Sequence, residues 1–189
     1  MTMTNGEPTQ ATIARAQAGE ESALVELYEW YKPRIQRFLY YRLGDKHAAE
    51  DLTTEVFLRM LQNLPDFQFQ GIPFQAWLFQ IARNLVVDDF RRQSIRNHEP
   101  LDETLEANEK PPEEVALGRI VWTELQAALQ ELPAAQLDVI TLRFIAGQSI
   151  AAVAQALDRS ESAVKSLQAR GLRTLAQRLA TQEVTNEPS

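Results

Sequence analysis

At 189 residues with a formal charge of −7, the chain has room for one medium domain or two small helical ones, and its acidity argues against a protein that coats nucleic acid by bulk positive charge. Zero Cys removes disulfides, thiolate zinc sites and cysteine nucleophiles, and two isolated histidines, His47 and His98, argue against a His-built metal site. Seven Gly and nine Pro are few for a loop-rich β-sandwich, which points to a mostly helical chain.

In chain order, the opening MTMTNGEPTQ has neither the basic flank nor the apolar core of a signal peptide. No stretch approaches the ~20 apolar residues that span a bilayer, so a soluble, non-exported chain is expected. Residues 1–19 read as a tail with a short helix. Leu24, Leu27, Tyr28, Tyr31, Ile35, Phe38 and Leu39 then recur at helical spacing, with Pro33 expected to kink or restart the helix. Gly44 stops it, and Asp45 is a candidate N-cap for the next helix. That helix runs to about Asn63, burying Leu52, Val56 and Met60 and turning Asp51, Thr54, Glu55 and Leu58 outward. The aromatic loop LPDFQFQGIP ends in Pro73, a residue favoured at a helix start. A third helix over about 74–93 carries Trp77, Leu78, Ile81, Leu85 and Phe90 beside Arg83, Arg91 and Arg92.

Residues 31–98 hold ten basic and seven acidic residues, whereas 99–117 hold Lys110 against seven acids. The latter stretch, with Pro100, Pro111 and Pro112 and few large apolar side chains, cannot bury enough surface to offset the entropy of ordering it. Residues 97–112 are therefore expected to be an acidic tether between two small domains. Beyond it, Val115, Ile120, Val121, Leu125, Leu129 and Leu132 pattern a helix. Pro133 opens another, through Leu137, Ile140, Leu142 and Phe144 to Gly147. Ser149 can cap a short helix, Asp158 and Arg159 make a turn, and Ser160 can cap a long helix. Short helix, tight turn and long helix is the helix-turn-helix plan. No segment alternates with period two, so an all-α chain is expected.

The long helix groups Val164, Leu172, Leu175 and Leu179 in a packing sector and Ser162, Ser166, Ala169, Arg170 and Arg173 in another, with Lys165 at the seam. The second sector is small near the helix start and cationic further along, suited to close approach to a major groove. Its alternative is an ordinary solvated face. Phe67, Phe69 and Phe74 beside Arg83, Arg91, Arg92 and Arg96 could stack and neutralise a single strand, or the aromatics could be core. Asn84 is an amide in an apolar helix, able to pair with a base edge or to make an internal hydrogen bond. The acidic face of Glu50, Asp51 and Glu55, with Arg59 four residues after Glu55, is a solvated face or a protein-docking surface.

Three segments, AEDLTTEVFLRMLQNLPDF, PFQAWLFQIARNLVVDDFRRQ and LPAAQLDVITLRFIAGQSIAAVAQALDRSESAVKSLQARGLRTL, resemble in order the bacterial sigma factors of the extracytoplasmic-function group of the sigma-70 family. The resemblance implies a non-enzymatic subunit that binds RNA polymerase core through its beta and beta-prime subunits and directs promoter recognition, melting and initiation. It implies domain 2 at 20–96, the acidic linker at 97–112, domain 4 at 113–180 and a tail at 181–189, with no further domain. Polymerase docking would fall to Asp51, Thr54 and Glu55. Minus-ten DNA would be met by Phe69, Asn84, Arg91 and Arg92, and minus-thirty-five DNA by Lys165, Ser166, Ala169, Arg170 and Arg173. No catalytic residue, cofactor or metal is implied. The partners are polymerase and promoter DNA, with an anti-sigma protein as a further candidate, and the place is the bacterial cytoplasm, at the nucleoid when in holoenzyme. Thr54 stands where Gln is usual, the loop reads FQGIPF rather than FRGESSF, Leu167 stands where a second Arg is common, and Ala169 where a large side chain often stands. A free-standing helix-turn-helix regulator is the runner-up; it leaves the acidic helix and aromatic loop without a task. A helical adaptor that binds only proteins is a third reading.

Overall fold

A computed structural model of the chain describes residues 7–69, 73–96 and 124–185, and every regular element among them is helical. The tether at 97–112 and the apolar positions Val115, Ile120 and Val121 lie outside the described residues. The N-terminal unit comprises α1 (Gln10–Gln17), α2 (Glu21–Leu43), α3 (Lys46–Asn63) and α4 (Phe74–Arg96). The C-terminal unit comprises a helical stretch at 124–130 (α5), α6 (Ala134–Ile140) running into a π turn at Thr141–Ile145, α7 (Ile150–Ala156) and α8 (Glu161–Thr185).

Local chemistry sets the helix ends. Gly44 adopts the left-handed region at φ 75°, where a glycine costs least, and its N–H closes α2 on the Tyr40 carbonyl. Asp45 Oδ1 accepts from the Ala48 N–H at 2.7 Å and starts α3. Of the two outcomes expected at Pro33, a kink or a restart, the restart does not occur: one helix of 23 residues passes through it. Tyr31 and Ile35 on either side are sunk in the core, and burying two such side chains is worth about 3–6 kcal/mol, enough to carry the helix past one missing N–H.

The core is built from Leu27, Tyr31, Ile35, Phe38, Val56, Met60, Leu78 and Phe79, and it continues without a break into Val139, Leu142, Val153 and Val164 of the C-terminal unit. Burial pushes the Tyr31 phenol well above its ordinary range. The two units therefore share one interior. Ala76 of α4 meets Ala152 and Ala156 of α7, small residues that let two helices approach closely. The Tyr40 hydroxyl lies 3.0 Å from Gln126 Oε1, and Gln130 Nε2 donates to the Tyr41 carbonyl at 2.9 Å. At the centre of the junction Asp138 on α6 faces two arginines, Arg42 Nη2 at 3.1 Å and Arg83 Nε at 3.0 Å.

Two residues assigned to apolar faces turn outward: Leu172 is 42% exposed and Phe144, on the π turn, 52%, whereas Leu167 and Gly171 are buried. The packing face of α8 is Val164, Leu167, Gly171 and Leu175. A Cβ on Gly171 would meet Ile140 Cγ1 at 2.8 Å, so the glycine is what lets α8 lie against α6. Gly171→Ala should lower stability by about 1–3 kcal/mol through overpacking, read as a shift in urea midpoint. Adding Ile140→Val, which trims the opposing side chain, should recover part of it; equal stability of Gly171→Ala and the parent would contradict this packing.

Candidate functional site

Three exposed surfaces collect the residues singled out from the sequence. On the first, α3 turns Val56, Phe57 and Met60 inward, and the 3.6-residue period leaves Asp51 and Thr54 exposed with Glu55 half-buried. Glu55 Oε1 accepts from Arg59 Nε at 2.9 Å, the four-residue pair expected, and Glu50 Oε1 accepts from Gln36 Nε2 at 3.3 Å. Thr54 Oγ1 donates to the Glu50 carbonyl at 3.2 Å. The acidic row has an apolar neighbour that sequence reasoning missed. Leu61 on α3 and Val25 and Tyr28 on α2 are exposed and border a groove floored by Leu24, Phe57 and Met60, and Leu58 stands exposed on the same helix as Leu61. Tyr28, expected in the core, instead stands at the rim, edge-on to Phe57 with ring centroids 4.7 Å apart. Because Tyr28 and Val25 come from a different helix, no single-helix periodicity could have joined them to Leu61.

The second surface is aromatic and runs onto α4. Phe67 and Phe74 are core, and Trp77 is half-buried. Phe69 alone of the four is exposed, at 40%. Its ring lies 5.0 Å from that of Phe67, which in turn contacts Phe74 at 5.4 Å and Trp77 at 4.7 Å. Pro73 opens α4, its carbonyl accepting from the Trp77 N–H at 3.1 Å. Trp77, Asn84 and Arg91 then follow at seven-residue steps, so they share one stripe about 21 Å long. Asn84 is exposed and makes no side-chain hydrogen bond among the described residues, which disfavours the internal-bond alternative. Arg91 and Arg92 are exposed as well. Arg83 departs from the expectation: it belongs to the junction with Asp138 and not to the cationic stripe. Gln70, Gly71 and Ile72 of the loop lie outside the described residues.

The third surface is the helix-turn-helix. Ser149 Oγ accepts from the Ala152 N–H at 3.1 Å and Ser160 Oγ from the Ala163 N–H at 3.2 Å, so both expected caps form. Asp158 takes φ 50° in the turn between them, a left-handed position that Asp tolerates better than most residues. Lys165, Ser166, Ala169, Arg170 and Arg173 are all exposed on α8. Lys165 Nζ is 3.8 Å from Glu161, and Arg170 folds back on Ser166 with its Nε 3.3 Å from the carbonyl and Nη2 3.3 Å from the hydroxyl. Both are weak, solvated contacts that a phosphate or a base edge can displace.

Comparison with known proteins joins these surfaces. Residues 27–95 match the family described as Sigma-70 region 2, and residues 122–175 match Sigma-70, region 4. The ECF RNA polymerase sigma factor BldN of Streptomyces coelicolor is 43% identical over 169 residues, covering 88% of this chain and 64% of BldN. This chain thus spans just under two thirds of the length of that relative. SigX of Bacillus subtilis, also an ECF RNA polymerase sigma factor, is 37% identical, with 79% of each chain covered. The fold resembles that of the sigma factor RpoE of Bartonella quintana, solved in complex with the anti-sigma factor NepR, at TM-score 0.68 and 21% identity, covering 82% of this chain and 96% of that one. Among the described residues no helix is long and apolar enough to cross a membrane. With both regions present in order on a shared core, and relatives matched along most of their length, the chain belongs to the ECF RNA polymerase sigma factors of the sigma-70 family.

Proposed function

We propose that this chain is a non-enzymatic specificity subunit that binds RNA polymerase core in the bacterial cytoplasm, joins the nucleoid as holoenzyme, and directs promoter recognition and melting. The observation that carries the reading is the ordered pair of matches, region 2 then region 4, each bearing an exposed surface of suitable chemistry. Domain 2 is taken as 20–96, the linker as 97–112 and domain 4 as 113–180. Asp51, Thr54 and Glu55 supply the polar part of the polymerase contact, and the groove of Val25, Tyr28 and Leu61 beside them supplies the apolar part. A free-standing regulator needs neither, which sets that alternative aside. The same acidic-and-apolar face suits an anti-sigma protein, the kind of partner seen with RpoE of Bartonella quintana.

DNA is divided between two surfaces by its state. Lys165, Ser166, Ala169, Arg170 and Arg173 read duplex DNA at the minus-thirty-five element, where small residues permit approach and arginines reach phosphates or guanine edges. Phe69, Asn84, Arg91 and Arg92 meet the unpaired strand at minus ten, where a base that has left the stack is held by a ring and an amide. Melting is driven by that binding energy and by no chemical step.

The division predicts two distinct failures. Arg170→Ala or Arg173→Ala should weaken binding of holoenzyme to closed duplex by about 1–3 kcal/mol where a base contact is lost, or flatten the salt dependence where a phosphate contact is lost. Asn84→Ala should leave duplex recruitment near the parental level and slow opening, seen as reduced permanganate reactivity, with only partial rescue on a pre-melted template. Parental opening by Asn84→Ala would remove it from the site. Normal upstream binding by both arginine variants would remove the α8 assignment.

A further inference from the structure

We propose that Gln17, the last residue of α1, is a positioning residue for the aromatic segment that meets melted DNA. Its side-chain Nε2 donates to two carbonyls about fifty residues downstream, Leu64 O at 2.9 Å and Phe67 O at 2.7 Å. These carbonyls bracket the turn that leads out of α3. That turn is closed by its own bond, the Phe67 N–H to the Leu64 carbonyl at 3.1 Å, so the Leu64 oxygen accepts twice. A primary amide offers two N–H groups from one nitrogen. Glutamate offers none, and alanine or serine cannot reach.

The donor is held firmly. Ile13 and Ala16 bury the inner face of α1 in the common core. Thr12 Oγ1 donates to Glu26 at 3.2 Å and Arg15 Nε to Glu20 at 2.8 Å, and the Arg15 guanidinium, with the Ser22 hydroxyl, holds the Glu20 carboxyl down at about 2. The acceptor end leads directly to the site. The backbone of Phe67 is what Gln17 grips, and the ring of Phe67 is the platform on which the exposed Phe69 ring rests. Gln17 thereby sets the height and tilt at which Phe69 meets an unstacked base, without touching DNA. It lies outside the region 2 match, which begins at residue 27, and residue periodicity gives no hint of it because its partners are remote.

This inference rests on the reading of Phe69 as a contact to the melted strand, and the test separates the two. Holoenzyme is assembled from core polymerase and the full chain carrying Gln17→Ala, Gln17→Glu, Gln17→Met or Phe69→Ala. Each is titrated against a promoter fragment with a mismatched bubble carrying 2-aminopurine in the unpaired non-template strand, and separately against duplex upstream DNA. Circular dichroism and core association are measured for each. The expected result is that all three Gln17 variants keep helicity, core association and upstream affinity. Bubble affinity should fall about tenfold, the scale of two lost hydrogen bonds to an ordered loop, and the 2-aminopurine signal should weaken as in Phe69→Ala. Loss by Phe69→Ala with parental behaviour of the Gln17 variants overturns the positioning role alone. Parental behaviour of Phe69→Ala overturns the reading beneath it and the proposal with it. A parallel fall in helicity, core association and upstream binding, or failure of all three Gln17 variants to fold, marks a general structural role and overturns the proposal as well.

Discussion

Asp138→Ala should destabilise the chain by about 3–5 kcal/mol, the cost of leaving a buried charge without its partner. Asp138 and Arg42 are each 4% exposed, and Arg83 closes on the same carboxylate from a side chain 31% exposed. The Arg42–Asp138 contact is held by charge more than by directed bonds: Arg42 Nε and Asp138 Oδ1 have no hydrogen-bond partner of good geometry among the described residues. Burial already pushes the Arg42 guanidinium below its ordinary range, with Asp138 opposing and Arg83 reinforcing that shift. Without the carboxylate, the buried Arg42 cation would be left facing the partly exposed Arg83. Arg83→Ala should cost less, about 1 kcal/mol or under, because its head is partly in water. The apolar pair Arg42→Met with Asp138→Leu should restore most of the loss, since well-packed apolar replacements of buried ion pairs are often neutral. Urea unfolding of the three variants decides this. A cost for Asp138→Ala no larger than for Arg83→Ala would contradict a buried bridge. Because the bridge joins the unit carrying α3 and α4 to the unit carrying α8, a larger radius of gyration should accompany the loss of stability.

The second large effect belongs to the acidic row. Joint replacement of Asp51 and Glu55 by Lys should weaken association with core polymerase by about 2–5 kcal/mol if the carboxylates are desolvated against basic partner groups, and by much less at a wet rim. Glu55 already has Arg59 at 2.9 Å, so part of its charge is spent within the helix, and Asp51→Lys should carry the larger single effect. Leu61→Ala tests the neighbouring groove. A loss there that persists in high salt would separate apolar from ionic contributions, because only the latter are screened. Unchanged core association of the double lysine variant, with helicity intact, would remove α3 from the interface.

What could be read from the sequence was what is decided locally. The caps at Asp45, Ser149 and Ser160, the glycine at 44 and the start of α4 at Pro73 each depend on a few neighbouring residues, and each formed as expected. Errors came where a distant partner decides. Pro33 sits inside a continuous helix because the core holds both of its flanks. Tyr28 left the core because Phe57 and α3 present an edge, not a cover. Leu172 yielded its inward place to Gly171, since α6 comes so close to α8 that only the glycine fits. Arg83 resembled its cationic neighbours until Asp138, 55 residues away, claimed it. The same limit applies to the candidate site. Asn84, Arg91 and the α8 arginines could be named from one helix each, whereas the apolar groove needs two helices and the Gln17 bridge needs an entire folded unit.

The central claim is that the chain confers promoter specificity on RNA polymerase, and run-off transcription tests it most directly. Core polymerase is incubated with a set of bacterial promoter fragments, with and without the purified chain. The account predicts transcripts with defined start points from a subset of fragments only when the chain is present, and their loss with the double lysine variant of Asp51 and Glu55. Duplex DNA binding by the chain alone, with no association with core and no new transcript from any fragment, would contradict it.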